Sequence, residues 1–528
     1  MSDELQHRSG LEIARDIWLP AAILSCVAIV LRLLVATRRE GIEIDGITYL
    51  LNAQAMTGDW QAVNLLHPPL YSMLLALVHP LWSDAEWGAR VVSAVAGGLW
   101  VWPALWLASE TTTAKVQWPV GLLVALFPSA VDASTRVLAE SLFGLCLAVF
   151  LVGLVRTLKT QSLPAAGLSG VAGGLATLTR PEGMAYLPFA WGMLALSAVL
   201  CIPRDRWRHV MITAGVVTAT WVLVVLPYAM AIKQQTGQWH WSGKVGVTLR
   251  WAESVGQERP QVFLEHVVQG AQHEDLPQSI GGYVLSHPLE SVQRVAMNLH
   301  LMDKYVVPGL MHSGGLALVM IGFVCLRLRP AADSWEWFLG ASLLPLAGFL
   351  LFVVEVRYFV SATPVLCIIA AIGLARVRRL GQPDELGAGL SRMGLILLVV
   401  VLVSFVPWLV RPWFRQDPSA VEKAAGVWLR HAEGRGAVLV GRYPRVAYYA
   451  EATAVPFPAR PLNGLLEEAR KQGGRFLIAD SVILPNTRPD LQMLTAGSSG
   501  RTDLGPIHIE EDRAGRRVVV YRIHAERK

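Results

Sequence analysis

Residues 17–36 read IWLPAAILSCVAIVLRLLVA, an apolar stretch with a single charge, Arg32. A helix crosses a bilayer with roughly 20 mostly apolar residues, so this stretch alone predicts a membrane span. It is longer than a signal-peptide core and no small-residue cleavage site follows it, which makes it a retained anchor. Working outward, comparable runs lie near 87–108, 117–133, 138–157, 164–179, 183–202, 209–231, 305–326, 335–354, 358–376 and 391–410, for about eleven spans. The run at 68–82 is shorter and opens on Pro68-Pro69, which suits an interfacial or re-entrant helix better. Composition agrees: of 528 residues, 53% are hydrophobic and 16% charged, which excludes an ordinary soluble globular protein. The five cysteines, Cys26, Cys146, Cys201, Cys325 and Cys367, all fall in apolar runs without the spacing of a metal knuckle or redox pair.

Charge in the connections predicts topology through the positive-inside rule. With the N-terminus cytoplasmic, the inner connections carry Arg8, Arg15, Lys115, Arg156, Lys159, Arg204, Arg206, Arg208, Arg327, Arg329, Arg376, Arg378, Arg379 and Arg392. The short outer turns hold only Arg136, Arg180 and Arg357. An odd number of spans puts everything after 410 outside the cytoplasm, giving a transmembrane domain at 1–410 and an extracytoplasmic domain at 411–528 of a cell (inner) membrane protein. Two outer connections, 37–86 and 232–304, are long. The second holds Trp239, Trp241 and Trp251, a density that suggests interfacial helices.

The tail has a different solvent. Residues 415–528 carry 18 basic and 13 acidic side chains, and so five of the six net positive charges. The high isoelectric point describes this domain, not a nucleic-acid-binding core. Helix-like segments at 418–431 and 462–472 alternate with strand-like ones at 437–441, 476–480, 506–509 and 517–523, which predicts a small α/β domain. Its expected work is substrate access or partner docking, without catalytic residues. Gly434-Arg435-Gly436 and Gly473-Gly474 read as turns, not phosphate loops.

The first outer loop runs Gly41-Ile-Glu-Ile-Asp-Gly-Ile-Thr-Tyr-Leu50, then Thr57-Gly-Asp-Trp60, then His67-Pro-Pro-Leu-Tyr71. An acid after the first span, a Tyr four residues on, a Gly-Asp turn and a His-Pro-Pro-Leu entry to an apolar helix resemble the GT-C glycosyltransferase superfamily. The branch it looks like holds the polyprenyl-phosphate-sugar-dependent protein O-mannosyltransferases and the lipid A aminoarabinose transferases. Thr135-Arg-Val-Leu-Ala-Glu140, Leu178-Thr-Arg-Pro-Glu-Gly183 and Val356-Arg-Tyr-Phe359 with Pro364 are similar to further motifs of that branch, in the expected order and on the predicted outer face. The resemblance covers roughly 17–376. It implies a polytopic α-helical GT-C-like membrane protein that moves a sugar from a polyprenyl-phosphate donor to a lipid, glycan or protein hydroxyl.

In an inverting displacement the acceptor hydroxyl loses a proton as it attacks, and a carboxylate is a suitable base; Asp45 is the candidate. The leaving lipid phosphate needs charge stabilisation, which the fixed fork of Arg provides; Arg136, Arg180 and Arg357 are the candidates. Tyr49, His67, Tyr71, Glu182 and Tyr358 are expected around the substrate cavity. Many sequences of this type carry Asp-Glu where this chain has Asp45-Gly46. The adjacent acid is therefore missing, Glu43 does not have its spacing, and Glu140 becomes the second acid. Protein cations in place of a metal make a cofactor unnecessary, with a divalent metal left open.

Taken singly, each residue has a plainer reading. Asp45 suits an Asp-Gly turn, each outer arginine and Arg32 suit snorkelling or packing, His67 suits bracing of the short helix, and Glu182 suits backbone bonding in a first turn. Tyr49, Tyr358 and the Trp cluster suit an interfacial belt. The competing function is a transporter or flippase of lipid-linked sugars. That reading calls for ionisable residues near the midplane and an internal repeat, whereas here the isolated charges gather at one face. A membrane anchor displaying a binding tail leaves the number of spans unexplained.

Overall fold

The computed structural model describes residues 10–200, 207–244, 248, 280–327, 335–377, 392–441, 443–455 and 461–524. Arg8, Arg204, Arg206, Arg329, Arg378, Arg379, Cys201 and Trp251 lie outside the described residues, as does the side chain of Arg15. The chain divides into two compact units. One is built from described residues within 1–36, 49–252 and 277–410, the other from 37–48 and 411–528. The short segment ahead of Asp45 thus groups with the tail.

The first unit is helical. Among the described residues seven helices are long and apolar enough to cross a membrane: Ile17–Ala36, Ala85–Thr111, Glu140–Thr160, Trp207–Thr236, Pro288–Cys325, Val356–Arg376 and Arg392–Phe414. The remaining runs expected as spans are helical but shorter or broken. They comprise Gln117–Leu126 with Pro128–Ser134, then Leu163–Thr179, Tyr186–Leu200 and Glu336–Leu351. One boundary moves. The helix expected near 305 starts at Pro288 and passes through a π-turn at Met302–Val306, so the long loop ahead of it is shorter than the sequence implies. The loops do contain short helices, at Leu70–Val78 and Ile280–Ser286.

Small residues set the packing. A Cβ on Gly153 would stand 2.8 Å from the Ser169 backbone nitrogen, and one on Gly173 would stand 2.1 Å from the Trp221 ring, so Leu163–Thr179 is gripped from both sides. Close backbone approach of this kind is how helices associate where lipid offers no hydrophobic gain. Arg392–Phe414 instead exposes Ile396, Val399, Val400 and Val403, the surface expected of a lipid-facing helix.

The tail is an α/β domain with a five-stranded sheet in the order β2-β1-β3-β5-β4. Its strands are β1 (Val438–Val440), β2 (Thr453–Val455), β3 (Phe476–Asp480), β4 (Leu504–Glu511) and β5 (Arg517–Ile523). β1 runs parallel to β2 and β3, while β5 is antiparallel to β3 and β4. Helices Ala420–Glu433 and Leu462–Lys471 bury Leu429 and Leu466 against it. Gly434, Gly436 and Gly473 all take positive φ, as turn glycines do.

Candidate active site

Arg180 ends the helix Leu163–Thr179, where Pro181 cannot continue the backbone ladder and the chain turns. Gly183 closes that turn with a bond from its N–H to the Arg180 carbonyl at 3.0 Å. A Cβ there would meet the Thr177 nitrogen at 2.5 Å, so only glycine fits. Glu140 stands in the first turn of Glu140–Thr160, where the helix dipole favours a carboxylate. Its helix start is pinned by Trp100, which donates to the Ser141 carbonyl at 2.7 Å, and by Ser141, which bonds Ser134 at 3.1 Å.

These turns bring three charges together. Arg180 donates from Nη1 to Glu140 Oε1 at 2.6 Å, and from Nε and Nη2 to the two oxygens of Glu182 at 3.2 and 3.0 Å. Burial opposes both charges of the Arg180–Glu182 pair, yet their attraction outweighs it. Glu182 is held below the usual carboxylate range and Arg180 above its ordinary value, with Glu140 adding to the second effect. The trio carries one net negative charge. Among the described residues each terminal nitrogen of Arg180 bonds one acid, and Glu140 Oε2 is buried without a hydrogen bond.

Tyr358 joins Arg357 to this group. Its ring has Arg180 Cζ and Arg357 Cζ each 5.2 Å from the centroid, and it stacks on Phe349 with centroids 5.1 Å apart. Arg357 also bonds Glu355 at 2.7 Å. Tyr49 packs edge-on against His67 and Tyr71, with centroids at 5.3 and 5.0 Å. Tyr71 is fully buried. Its hydroxyl is bonded to Ser93 Oγ at 2.7 Å, and Ser93 reaches the Leu138 carbonyl at 3.3 Å, so this tyrosine braces the turn that leads to Glu140. Arg136 pairs with Asp132 one turn earlier, both half-exposed.

Lys244 carries no motif in the sequence, yet it joins this group. Its Nζ lies 3.4 Å from His67 Nε2 and its charge acts on Glu182. Gly243 allows this, because a Cβ there would meet the Leu65 carbonyl at 2.7 Å, and Tyr228 ties the same carbonyl at 2.8 Å. The Ser242-Gly243-Lys244 turn was the available signal, submerged in a long loop of mixed charge.

Asp45 belongs to the other unit. It sits in the first turn of the helix Ile44–Thr57, the place where a helix favours an ionised acid. Glu43, to which the sequence reading gave no role, pairs with Arg445 of the tail at 3.6 Å. Among the described residues no group of three or more His, Cys, Asp or Glu side chains is arranged to hold a metal.

Charges also gather at the opposite ends of these helices. Glu110 holds Lys159 at 3.0 Å and Arg156 at 3.3 Å, and Glu336 holds Arg376 at 2.6 Å. Glu140 and Lys159 end one 21-residue helix, which spans about 30 Å. Arg357 and Arg376 likewise lie toward opposite ends of Val356–Arg376.

Residues 66–230 match the family model for dolichyl-phosphate-mannose-protein mannosyltransferases. No curated protein matches the chain. Among solved structures, the archaeal oligosaccharyltransferase AglB from Archaeoglobus fulgidus, in complex with an inhibitory peptide and a dolichol-phosphate, is similar with a TM-score of 0.59 at 14% identity, over 97% of this chain and 75% of that one. ArnT from Cupriavidus metallidurans is similar both in the apo state (TM-score 0.59, 13% identity, 96% of this chain and 98% of that one) and bound to undecaprenyl phosphate (0.58, 13%, 95% and 98%). The chain thus shares its fold over nearly its whole length with these solved structures, and within it residues 66–230 match the mannosyltransferase family model.

Proposed function

We propose that this chain is an inverting glycosyltransferase that moves a sugar from a polyprenyl-phosphate donor to a lipid, glycan or protein hydroxyl outside the cytoplasm. The observation that carries the reading is the cluster of Glu140, Arg180, Glu182, Arg357 and Tyr358 at one end of the helical unit. A second set of ion pairs closes the other end. A transporter needs its charges near the midplane; these sit at the ends. Similar folds have been captured with dolichol-phosphate and undecaprenyl phosphate, which supports a donor of that class.

Each part then has a task. Arg180 and Arg357 hold the donor phosphate, with Lys244 supplying the charge that Glu140 and Glu182 take from Arg180. Arg136 meets the lipid phosphate as it enters. Glu140 presents its unbonded oxygen to a sugar or acceptor hydroxyl. Tyr49, His67 and Tyr358 shape the cavity, and Tyr71 holds its wall. Asp45 takes the proton from the acceptor as the anomeric bond to phosphate breaks. No metal is needed for these steps. The same reading places the N-terminus in the cytoplasm and residues 411–528 outside.

Mass analysis of lipid copurifying with the protein tests the donor class, and a polyprenyl phosphate is expected. Asp45→Asn tests the base: transfer should fall by about 100-fold or more, with undecaprenyl phosphate still bound. Undiminished transfer would refute the assignment.

A further inference from the structure

Removing the tail would be expected to spare donor binding and to impair acceptor use or stability, yet the segment that leads into Asp45 is built into the tail. Ile42, 1% exposed, is among the largest fully buried side chains of the chain. Its carbonyl accepts a bond from Arg445 Nε at 2.6 Å. The same guanidinium donates from Nη1 to Glu422 Oε2 at 2.6 Å and pairs through Nη2 with Glu43 at 3.6 Å. Glu422 is itself buried and fixed from its other oxygen by Arg516 at 3.5 Å, and Arg516 bonds Asp480 at the end of β3 at 2.7 Å. A continuous chain of charge-assisted bonds therefore runs from the central strand of the tail sheet to the backbone two residues before Asp45's helix.

Two further contacts fix the same segment. The Glu40 N–H reaches Asp417 Oδ2 at 3.4 Å. Gly41 lies so close to Ser419 that a Cβ would stand 2.2 Å from its Oγ and 2.6 Å from its Cβ. Residues 40–43 thus meet three residues of the tail: Asp417 at Glu40, Ser419 at Gly41, and Arg445 at both Ile42 and Glu43. Glu43 then begins the helix, its carbonyl accepting from Ile47 N–H at 3.1 Å. A base must meet its proton within hydrogen-bond reach, and a displacement of about 1 Å costs up to about 100-fold in rate.

We infer that the C-terminal domain is a positioning element for Asp45, and that Arg445 is the residue through which it sets the start of the helix carrying that acid. This rests on the proposed role of Asp45 as base. Arg445 is a positioning residue and touches no substrate.

The test uses the full-length chain in detergent, with whichever of a panel of undecaprenyl-phosphate hexoses and pentoses it turns over fastest. Arg445→Met should raise deuterium uptake of the 37–48 peptide. It should lower kcat by about 10–100-fold and leave the affinity for undecaprenyl phosphate within twofold of wild type. Arg445→Lys should fall between, since an ammonium replaces only part of the fork. The double variant Asp45→Asn/Arg445→Met should be no slower than Asp45→Asn alone. Gly41→Ala disturbs the joint without touching the ion network; it should reproduce the kcat loss, and Ser419→Gly in the same chain should restore activity. Wild-type exchange at 37–48 in Arg445→Met, wild-type kcat in that variant beside an inactive Asp45→Asn, or multiplying losses in the double variant would each overturn the inference. Full activity of Asp45→Asn would instead remove the assignment of Asp45, and the inference with it.

Discussion

Replacing Arg180 by Gln tests how the site is held before any substrate arrives. Glu140, 2% exposed, meets Arg180 at 2.6 Å, while Glu182 meets it at 3.0 Å and is the more exposed of the two acids. Removing one member of a buried ion pair leaves an uncompensated charge and costs about 3–5 kcal/mol. The entropy of unfolding grows with length, so for a unit as large as the helical one a loss of about 3 kcal/mol lowers the melting temperature by about 4 °C. Glu140→Gln alone should cost less, roughly 1 kcal/mol, because Arg180 keeps Glu182. The double variant Glu140→Gln/Arg180→Gln should recover much of the Arg180→Gln loss, since the deepest stranded carboxylate is gone. Thermal unfolding of the four purified proteins in one detergent reads this cycle, with undecaprenyl phosphate binding read in parallel. If Arg180→Gln melts with wild type, or if the double variant simply adds the two single losses, the trio is not a buried coupled unit and the reasoning fails.

Lys244→Ala should weaken undecaprenyl phosphate binding about tenfold, the value of one charge-assisted hydrogen bond, without changing the melting temperature; unchanged affinity removes Lys244 from the donor site. Gly183→Ala forces a Cβ against the Thr177 backbone nitrogen, so it should destabilise by about 1–3 kcal/mol and reduce donor binding, whereas Gly192→Ala, where a Cβ has open space, should be silent in both assays. In the tail, hydrogen bonds from Arg501 chiefly, then from Arg470, hold Asp503 well below its ordinary value against the opposing effect of burial. An acid depressed in the folded state stabilises the fold above its unfolded value near 4 and loses that contribution as pH falls. Asp503→Asn should therefore lower the unfolding temperature of the tail at pH 7, with the gap to wild type closing below about pH 4. A gap that stays constant with pH would exclude the ionic origin.

The helices were legible because their cause is local. A bilayer-length apolar run reports its own burial, and among the described residues each stretch expected to be a span is largely helical; the expected 164–179 is the helix Leu163–Thr179, whereas the expected 117–133 is broken at Phe127 into Gln117–Leu126 and Pro128–Ser134. In the tail, Phe476–Asp480 and Arg517–Ile523 were legible to the residue, since each is a buried or alternating β-branched run. The helix Pro444–Ala450 and the strand Thr453–Val455 were not: one is seven residues long, the other three, and neither repeats its period often enough to stand out in sequence. Site residues divide the same way. Motifs named Glu140, Arg180, Glu182 and Arg357, but pairing is a property of the fold. Nothing in the spacing of Glu140 and Arg180 says that the arginine must satisfy two acids, or that Tyr358 lies against two guanidinium groups. The bond from Arg445 to Ile42 joins residues 403 apart and has no local signature at all.

Arg32 makes the physical point most sharply. As a lone charge in the first span it invites a snorkelling explanation, yet it is fully buried, and among the described residues no carboxylate bonds it. Its guanidinium donates instead to the carbonyls of Val124 and Ala125, at 3.3 and 2.8 Å. Those carbonyls end the helix Gln117–Leu126, and the residue that would have bonded Val124 from four positions on is Pro128, which has no N–H. Each unsatisfied buried carbonyl costs about 1–3 kcal/mol, and more where no water is at hand. The arginine of one span is therefore the cap for a proline break in another. That break starts Pro128–Ser134, whose last residue bonds Ser141 beside Glu140. A charge that looks anomalous in one helix is explained by a missing donor 96 positions away, and the acid at the candidate site depends on both.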